Sequence, residues 1–259
     1  MLHIPRIVTR VPILRGVARL MLTSYARLFK SRYVVETRMG LQLLLDQENI
    51  IDWQIFIRGE WEAAQFDKLF ELLAQQRVKH DAGAVFLDVG AHWGLYALEA
   101  LKSASFEQII ALEPDPTNFS QLQANLFLND ARGAVRVLQL AASNTERDFG
   151  LSLRTHRNRG ATRLVDVGQP NHVVCHGSRL DSLFDFSGKL LVVKIDVEGH
   201  EMAVLEGMSE LLAKNHCVLQ IEVDDENFPG RETMVADKLA PFGLKPAGVI
   251  DSDFFFVSA

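Results

Sequence analysis

Short apolar runs alternate with helix-patterned stretches from residue 84 onward, and this alternation limits the chain to few folds. The apolar runs are Ala84–Val89, Gln108–Leu112, Val135–Leu140, Leu190–Val197, Cys217–Val223 and a final Val249–Ser258. The spacing predicts helices over His92–Lys102, Pro116–Leu128, His200–Lys214 and Arg231–Pro241. Strands separated by helices imply a mostly parallel sheet covered on both faces. Ligands of such sheets bind at the carboxyl ends of the strands. Residues 144–172 read as a polar loop, with "RTHRNRGATR" at its centre.

Upstream of the alternation the pattern differs. "YVVETRMGLQLLLD" reads as a hairpin turning at Met39-Gly40, within a strand-like stretch from Tyr33 to Ile57. "GEWEAAQFDKLFELLAQQ" reads as a helix. Residues 13–31 read as a basic amphipathic helix. The expected division is an N-terminal extension over 1–80 and a main α/β domain over 81–259.

Net charge is −6 across 259 residues, which argues against a generic nucleic-acid binder. The charge is uneven: residues 1–32 hold seven basic residues and no acid. That segment either docks on protein or lies on an anionic membrane surface, at the inner face of the membrane. Cys175 and Cys217 form no disulfide framework or zinc pattern, which fits a reducing, cytoplasmic setting. No apolar stretch is long enough to span a membrane, and the N-terminus has no secretory pattern.

Three strand ends hold the candidate site. The first strand ends at Asp88, and Gly90, Ala91 and Gly94 form the turn into the next helix. D-x-G-x-x-x-G is neither the dinucleotide fingerprint nor a phosphate loop, so it marks either a ligand turn or a tight corner. Glu113 ends the second strand. There it can accept the hydroxyls of a ribose or favour the next helix dipole, although Asp115 already precedes Pro116 as the cap. "LLVVKIDVEGHE" puts Lys194 and Asp196 on one face of a strand that should be apolar, with Glu198 and His200 in the turn after it. Lys194 and Asp196 are either a structural ion pair or part of a catalytic edge. Asp196, Glu222 and Asp224 together would suit Mg²⁺, although a solvated acidic turn at Glu222, Asp224 and Asp225 is the simpler reading.

"VFLDVGAHWGLYAL", "ALEPDPTNFSQLQANLFLN", "RLDSL" and "VVKIDVEGHEMAVLEGM" together resemble the FkbM-type S-adenosylmethionine-dependent methyltransferases, over about residues 35–225. The resemblance implies a seven-stranded, Rossmann-like class I methyltransferase fold and methyl transfer to an oxygen, often of a sugar or glycan. It places Asp88, Gly90, Ala91 and Gly94 in the cofactor loop, Glu113 on the ribose and Ala142, within Ala141–Ser143, beside the adenine. Lys194, Asp196, Glu198 and His200 fall in the catalytic signature, with Asp196 also near the cofactor. His92 departs from the family's usual asparagine. Asp181 matches a recurrent "LD" of unassigned role. His200 or Asp196 would act as the base, Glu198 would orient it or bind the acceptor, and Lys194 would stabilise the alkoxide; these roles compete, and His200 reads equally as a helix N-terminal residue facing solvent. The cofactor implied is S-adenosylmethionine, with no metal favoured. The partners implied are a small-molecule or glycan acceptor, with a homo-oligomer open. Arg154, Arg157, Arg159 and Arg163 suit an acidic glycan or belong to a surface loop. A nicotinamide oxidoreductase and a non-catalytic membrane-associated scaffold remain as alternative readings.

Overall fold

The computed structural model describes residues 32–103, 105–152, 162–168, 172–223 and 230–259. The expected helix over 13–31, and Arg154, Arg157, Arg159, Asp224 and Asp225, lie outside the described residues. The chain divides into two bodies, with the boundary after Ala63.

In the first body β1 (Tyr33–Arg38) pairs antiparallel with β2 (Leu41–Asp46). Met39 and Gly40 both have positive φ, the conformation that a tight two-residue hairpin requires. Residues 50–58 form a helix, α1 (Ile50–Arg58), rather than the expected strand. The β-branched residues misled the reading, and the local capping decides. Asn49 Oδ1 accepts from Ile51 N and Asp52 N at 2.9 and 3.4 Å, and Gly59 ends the helix in the left-handed region.

α2 (Ala63–Lys79) begins at the boundary, and all of it but Ala63 lies in the second body. The main sheet of that body contains β3 (Ala84–Val89), β4 (Gln108–Leu112), β5 (Val135–Leu138), β10 (Leu190–Ile195), β11 (His216–Glu222), β12 (Leu244–Ile250) and β13 (Asp253–Ser258). The spatial order is β12-β13-β11-β10-β3-β4-β5. The five strands from β11 to β5 run parallel, and β13 runs antiparallel to both of its neighbours, β11 and β12. The final strand is therefore a hairpin and not one run. Its outer half, β12, carries Pro246, Gly248 and a bulge, which mark an exposed edge rather than an apolar core strand. β3 and β10 are buried at all six positions. The chain leaves β3 toward β4 and β5 and returns to β10 on the other side. The strand order thus reverses between β3 and β10, which is where such sheets open a crevice.

Among the described residues, six further α-helices follow the strands of this body. α3 (Leu95–Lys102) starts three residues later than expected, because His92 and Gly94 both take positive φ. α4 (Pro116–Leu128) is capped by Asp115, whose Oδ1 accepts from Thr117 N and Asn118 N at 2.7 and 3.1 Å. The expected helix over His200–Lys214 divides at Met208. Asp181, in α5 (Leu180–Leu183), accepts from Glu210 N and Leu211 N at 3.1 and 3.0 Å. It thereby caps α7 (Ser209–Lys214), which follows α6 (Glu201–Gly207). This is the role of the "LD" aspartate. Asp181→Ala is expected to cost about 1–2 kcal/mol of stability, read by urea denaturation, as for other lost helix caps. A change below a few tenths would contradict the capping role. α8 (Arg231–Leu239) ends two residues before the expected Pro241, where a 3₁₀ turn takes over.

Residues 144–172 are not all loop. β6 (Ala141–Ala142), β7 (Arg147–Ser152), β8 (Arg163–Val165) and β9 (His172–Ser178) form a second sheet in the order β6-β9-β7-β8. Ala141, Phe149, Leu151 and Cys175 give it a small core. The charged flanks Glu146, Arg147 and Asp148 hide this alternation in the sequence. No helix among the described residues is long and apolar enough to cross a membrane.

Candidate functional site

The glycine turn is built by three strand ends. Gly90 N and Ala91 N both donate to Leu112 O at the end of β4, each at 2.9 Å. Asp196 N donates to Val89 O at 2.9 Å, which seats the end of β10 against the same turn. A Cβ on Gly90 would overlap the carbonyl oxygen of Asp196, and φ there is +82°. Gly94 begins α3 at φ +88°, and a Cβ there would overlap the Leu122 side chain. Gly90 is therefore required by the protein's own packing, and Gly94 is favoured by its left-handed backbone, whatever the crevice holds. Asp88 is buried, and its Oδ2 accepts from Ala97 N at 3.0 Å, fixing α3 to the strand.

Glu113 follows β4 and is only 5% exposed. Its Oε2 accepts from His92 N and its Oε1 from Asp115 N, both at 2.8 Å, so one carboxyl group ties the turns after β3 and β4 together. Burial pushes its pKa up to about 8, against the opposing pull of these amides and of a side-chain hydrogen bond from Asn118. Asp115 performs the capping, as the sequence implies. Three buried polar atoms in the segments that follow β3 and β4 have no partner among the described residues: His92 Nε2, Trp93 Nε1 and Asn118 Oδ1. Burial lowers the His92 pKa to about 4, so its imidazole is neutral. Buried polar atoms are normally satisfied, and a polar ligand would satisfy these. That is the fit expected for the nucleoside part of S-adenosylmethionine.

Ala142 lies in β6, paired to Ser178, and Ser143 N donates to Ser178 O at 2.8 Å. Ser143 is fully buried, and its Oγ lies 3.0 Å from His200 Nε2. The His200 ring also meets Phe149 edge-on at 5.6 Å. Glu198, at φ +52°, places Oε2 3.8 Å from Arg163 Nη2. The signature turn thus contacts the second sheet through Glu198 and His200.

Lys194 and Asp196 take a different direction. The Lys194 ammonium is 3.1 Å from Asp253 Oδ1, 3.8 Å from Asp196 Oδ2 and 3.8 Å from Glu222 Oε2. Its side chain is only 3% exposed, so its contacts are with these carboxylates and not with solvent. The Asp196 side chain is 33% exposed at the crevice edge. Asp253, Gln220 and Tyr96 complete this cluster and were missed in the sequence. Gln220 carried the same signal as Lys194, a polar residue in an apolar strand. Asp253 carried none, because its strand was read as one with β12. Among the described residues, no group of three or more His, Cys, Asp or Glu side chains is arranged to hold a metal ion.

Residues 88–240 match the model of the methyltransferase FkbM domain. The chain belongs to the FkbM methyltransferase family. The hexuronic acid methyltransferase AglP of Haloferax volcanii is 29% identical over 168 residues, covering 64% of this chain and 64% of that protein. Methyltransferase sdnD of Sordaria araneosa is 26% identical over 204 residues, covering 62% of this chain and 68% of that one. The chain thus spans slightly under two thirds of AglP's length. A solved FkbM methyltransferase from Methylobacillus flagellatus KT is 17% identical, with a TM-score of 0.47, covering 68% of this chain and 43% of that one. The FkbM match begins at Asp88 and so takes in the glycine turn, Glu113, Ala142 and the signature residues. It ends before Asp253.

Proposed function

We propose that this chain is an S-adenosylmethionine-dependent O-methyltransferase acting on a hydroxyl of a sugar or glycan. The observation that carries the reading is Glu113, a buried carboxyl joining the turns after β3 and β4 beside the strand-order reversal, with unpartnered polar atoms in the segments that follow both strands. FkbM membership supports methyl transfer, and the sugar acceptor is supported by AglP, named as a hexuronic acid methyltransferase. Arg163, beside Glu198, offers a cation next to the signature turn that suits an acidic sugar.

S-adenosylmethionine, when bound, supplies a methyl group on a sulfonium whose departing thioether is neutral. What remains for the protein is alignment of the two reactants and removal of the hydroxyl proton. Glu113 accepts the ribose hydroxyls. His92, Trp93 and Asn118 offer their buried polar atoms to the nucleoside. Asp196, at the carboxyl end of β10, accepts the proton of the acceptor hydroxyl.

Calorimetry with S-adenosylmethionine, and mass spectrometry of a glycan pool given labelled cofactor, test the reading together. Glu113→Ala is expected to weaken cofactor binding. Asp196→Ala is expected to lower turnover by about 10²–10⁴-fold, the range for a lost general base, and far more than His92→Ala. Equal cofactor affinity in wild type and Glu113→Ala, or a larger turnover loss in His92→Ala, would overturn these assignments.

A further inference from the structure

Lys194 is the one charged residue in β10, a strand buried at every position. An ammonium placed there is unfavourable unless other groups compensate it. Compensation converges from three segments of the chain. Asp253, the first residue of β13, is nearest at 3.1 Å, with a side chain only 3% exposed. Gln220 Nε2 fixes this anchor by donating to Asp253 Oδ1 at 2.8 Å and to Tyr96 Oη at 2.6 Å. The Tyr96 ring centroid lies 5.3 Å from the ammonium. On the other side stand Asp196 and Glu222, each 3.8 Å away, with side chains 33% and 36% exposed. Ser252 Oγ donates to Glu222 Oε1 at 3.2 Å and so helps to orient it. The cation therefore has one buried anchor and two carboxylates that are about one third exposed. Without a positive charge between them, those carboxylates would repel.

We infer that Lys194 is a positioning residue: a fixed internal cation that clamps Asp196 and Glu222 side by side at the carboxyl edge of β10 and β11. It stands where a divalent ion would otherwise sit. Only the last step, that these carboxylates face the acceptor, rests on the methyltransferase reading; the clamp itself does not. The anchor comes from beyond the FkbM match, because Asp253 follows residue 240. Removing the ammonium leaves three carboxylates around one point. Mg²⁺ and Mn²⁺ favour oxygen ligands, and Mg²⁺ sites commonly keep coordinated waters, so with the ammonium gone these carboxylates can close around such an ion or reach it through water.

The test is a Mn²⁺ titration of the full chain, followed by electron paramagnetic resonance. Wild type is expected to show no saturable binding. Lys194→Met is expected to bind one Mn²⁺, and Glu222→Gln in that background to weaken it by roughly tenfold or more. Folded Lys194→Met that takes up no Mn²⁺ overturns the clamp. So does wild type that binds Mn²⁺ in a manner lost in Asp196→Asn. If Lys194→Met fails to fold, the wild-type and Asp196→Asn titrations still decide. Acceptor KM should rise in Glu222→Gln while cofactor affinity holds. A protein that behaves as expected with Mn²⁺ yet transfers no methyl group refutes the functional reading and leaves the clamp standing.

Discussion

Gly90→Ala is expected to lower the free energy of unfolding by more than ~4 kcal/mol, much of the 5–15 kcal/mol typical of a domain. Two penalties combine. A left-handed backbone at φ +82° is unfavourable for alanine, and the added methyl would overlap the Asp196 carbonyl, which is backbone and anchored to Val89. Relief requires the ends of β3 and β10 to separate, which also opens the crevice. Gly133→Ala is the control, because a Cβ there meets nothing within 4 Å. It should change stability by no more than about 0.5 kcal/mol. Urea denaturation of the two variants gives the comparison. If Gly90→Ala stays within 1 kcal/mol of wild type by that measure, as no left-handed, overlapping site should, β10 is not seated on the turn.

The second large effect is on pH dependence. Glu113 titrates near 8 in the folded protein and near 4.5 when unfolded. Its contribution to stability is therefore fully present below about pH 4.5 and is lost as pH rises through about 8. Between pH 5 and pH 8, wild type should lose about 3 kcal/mol relative to Glu113→Gln, which has no proton to release there. The difference in slope is the informative quantity. Glutamine also turns an NH₂ toward the His92 or Asp115 amide, but that penalty is constant with pH and drops out. Parallel stability curves would show that the carboxyl is ionised when folded. Ribose hydroxyls donate to the ionised form, so cofactor binding near pH 7 should release a proton. The calorimetric enthalpy would then vary with the ionisation heat of the buffer.

Much of this was legible in the sequence, for identifiable reasons. Parallel core strands are continuous apolar runs, so β3, β4 and β10 stand out, and so do the charges that interrupt β10. Gly90, Glu113 and Asp196 were found because each lies at a strand end. What escaped depends on contacts distant in sequence. The Lys194–Asp253 pair spans 59 positions and needs the sheet order, which no local pattern encodes. His200 reaches Ser143 only because the second sheet forms, and that sheet was obscured by its charged flanks. α1 was misread because isoleucines at 50, 51, 55 and 57 favour strands, while one asparagine cap decides for helix.

The position of β13 has a consequence for biogenesis. β10 and β11 leave the ribosome before the strand that neutralises Lys194 and pairs with β11 along five residues. Until Asp253 emerges, the nascent sheet carries a buried charge without its nearest counter-ion. Cys217 N also lacks the Ser258 hydroxyl that it bonds at 2.7 Å. The strands made earlier should therefore remain labile during synthesis and lock only when β13 inserts between β11 and β12. Such late, long-range closure slows folding. It also leaves the edge of β11 open to mispairing in the interval.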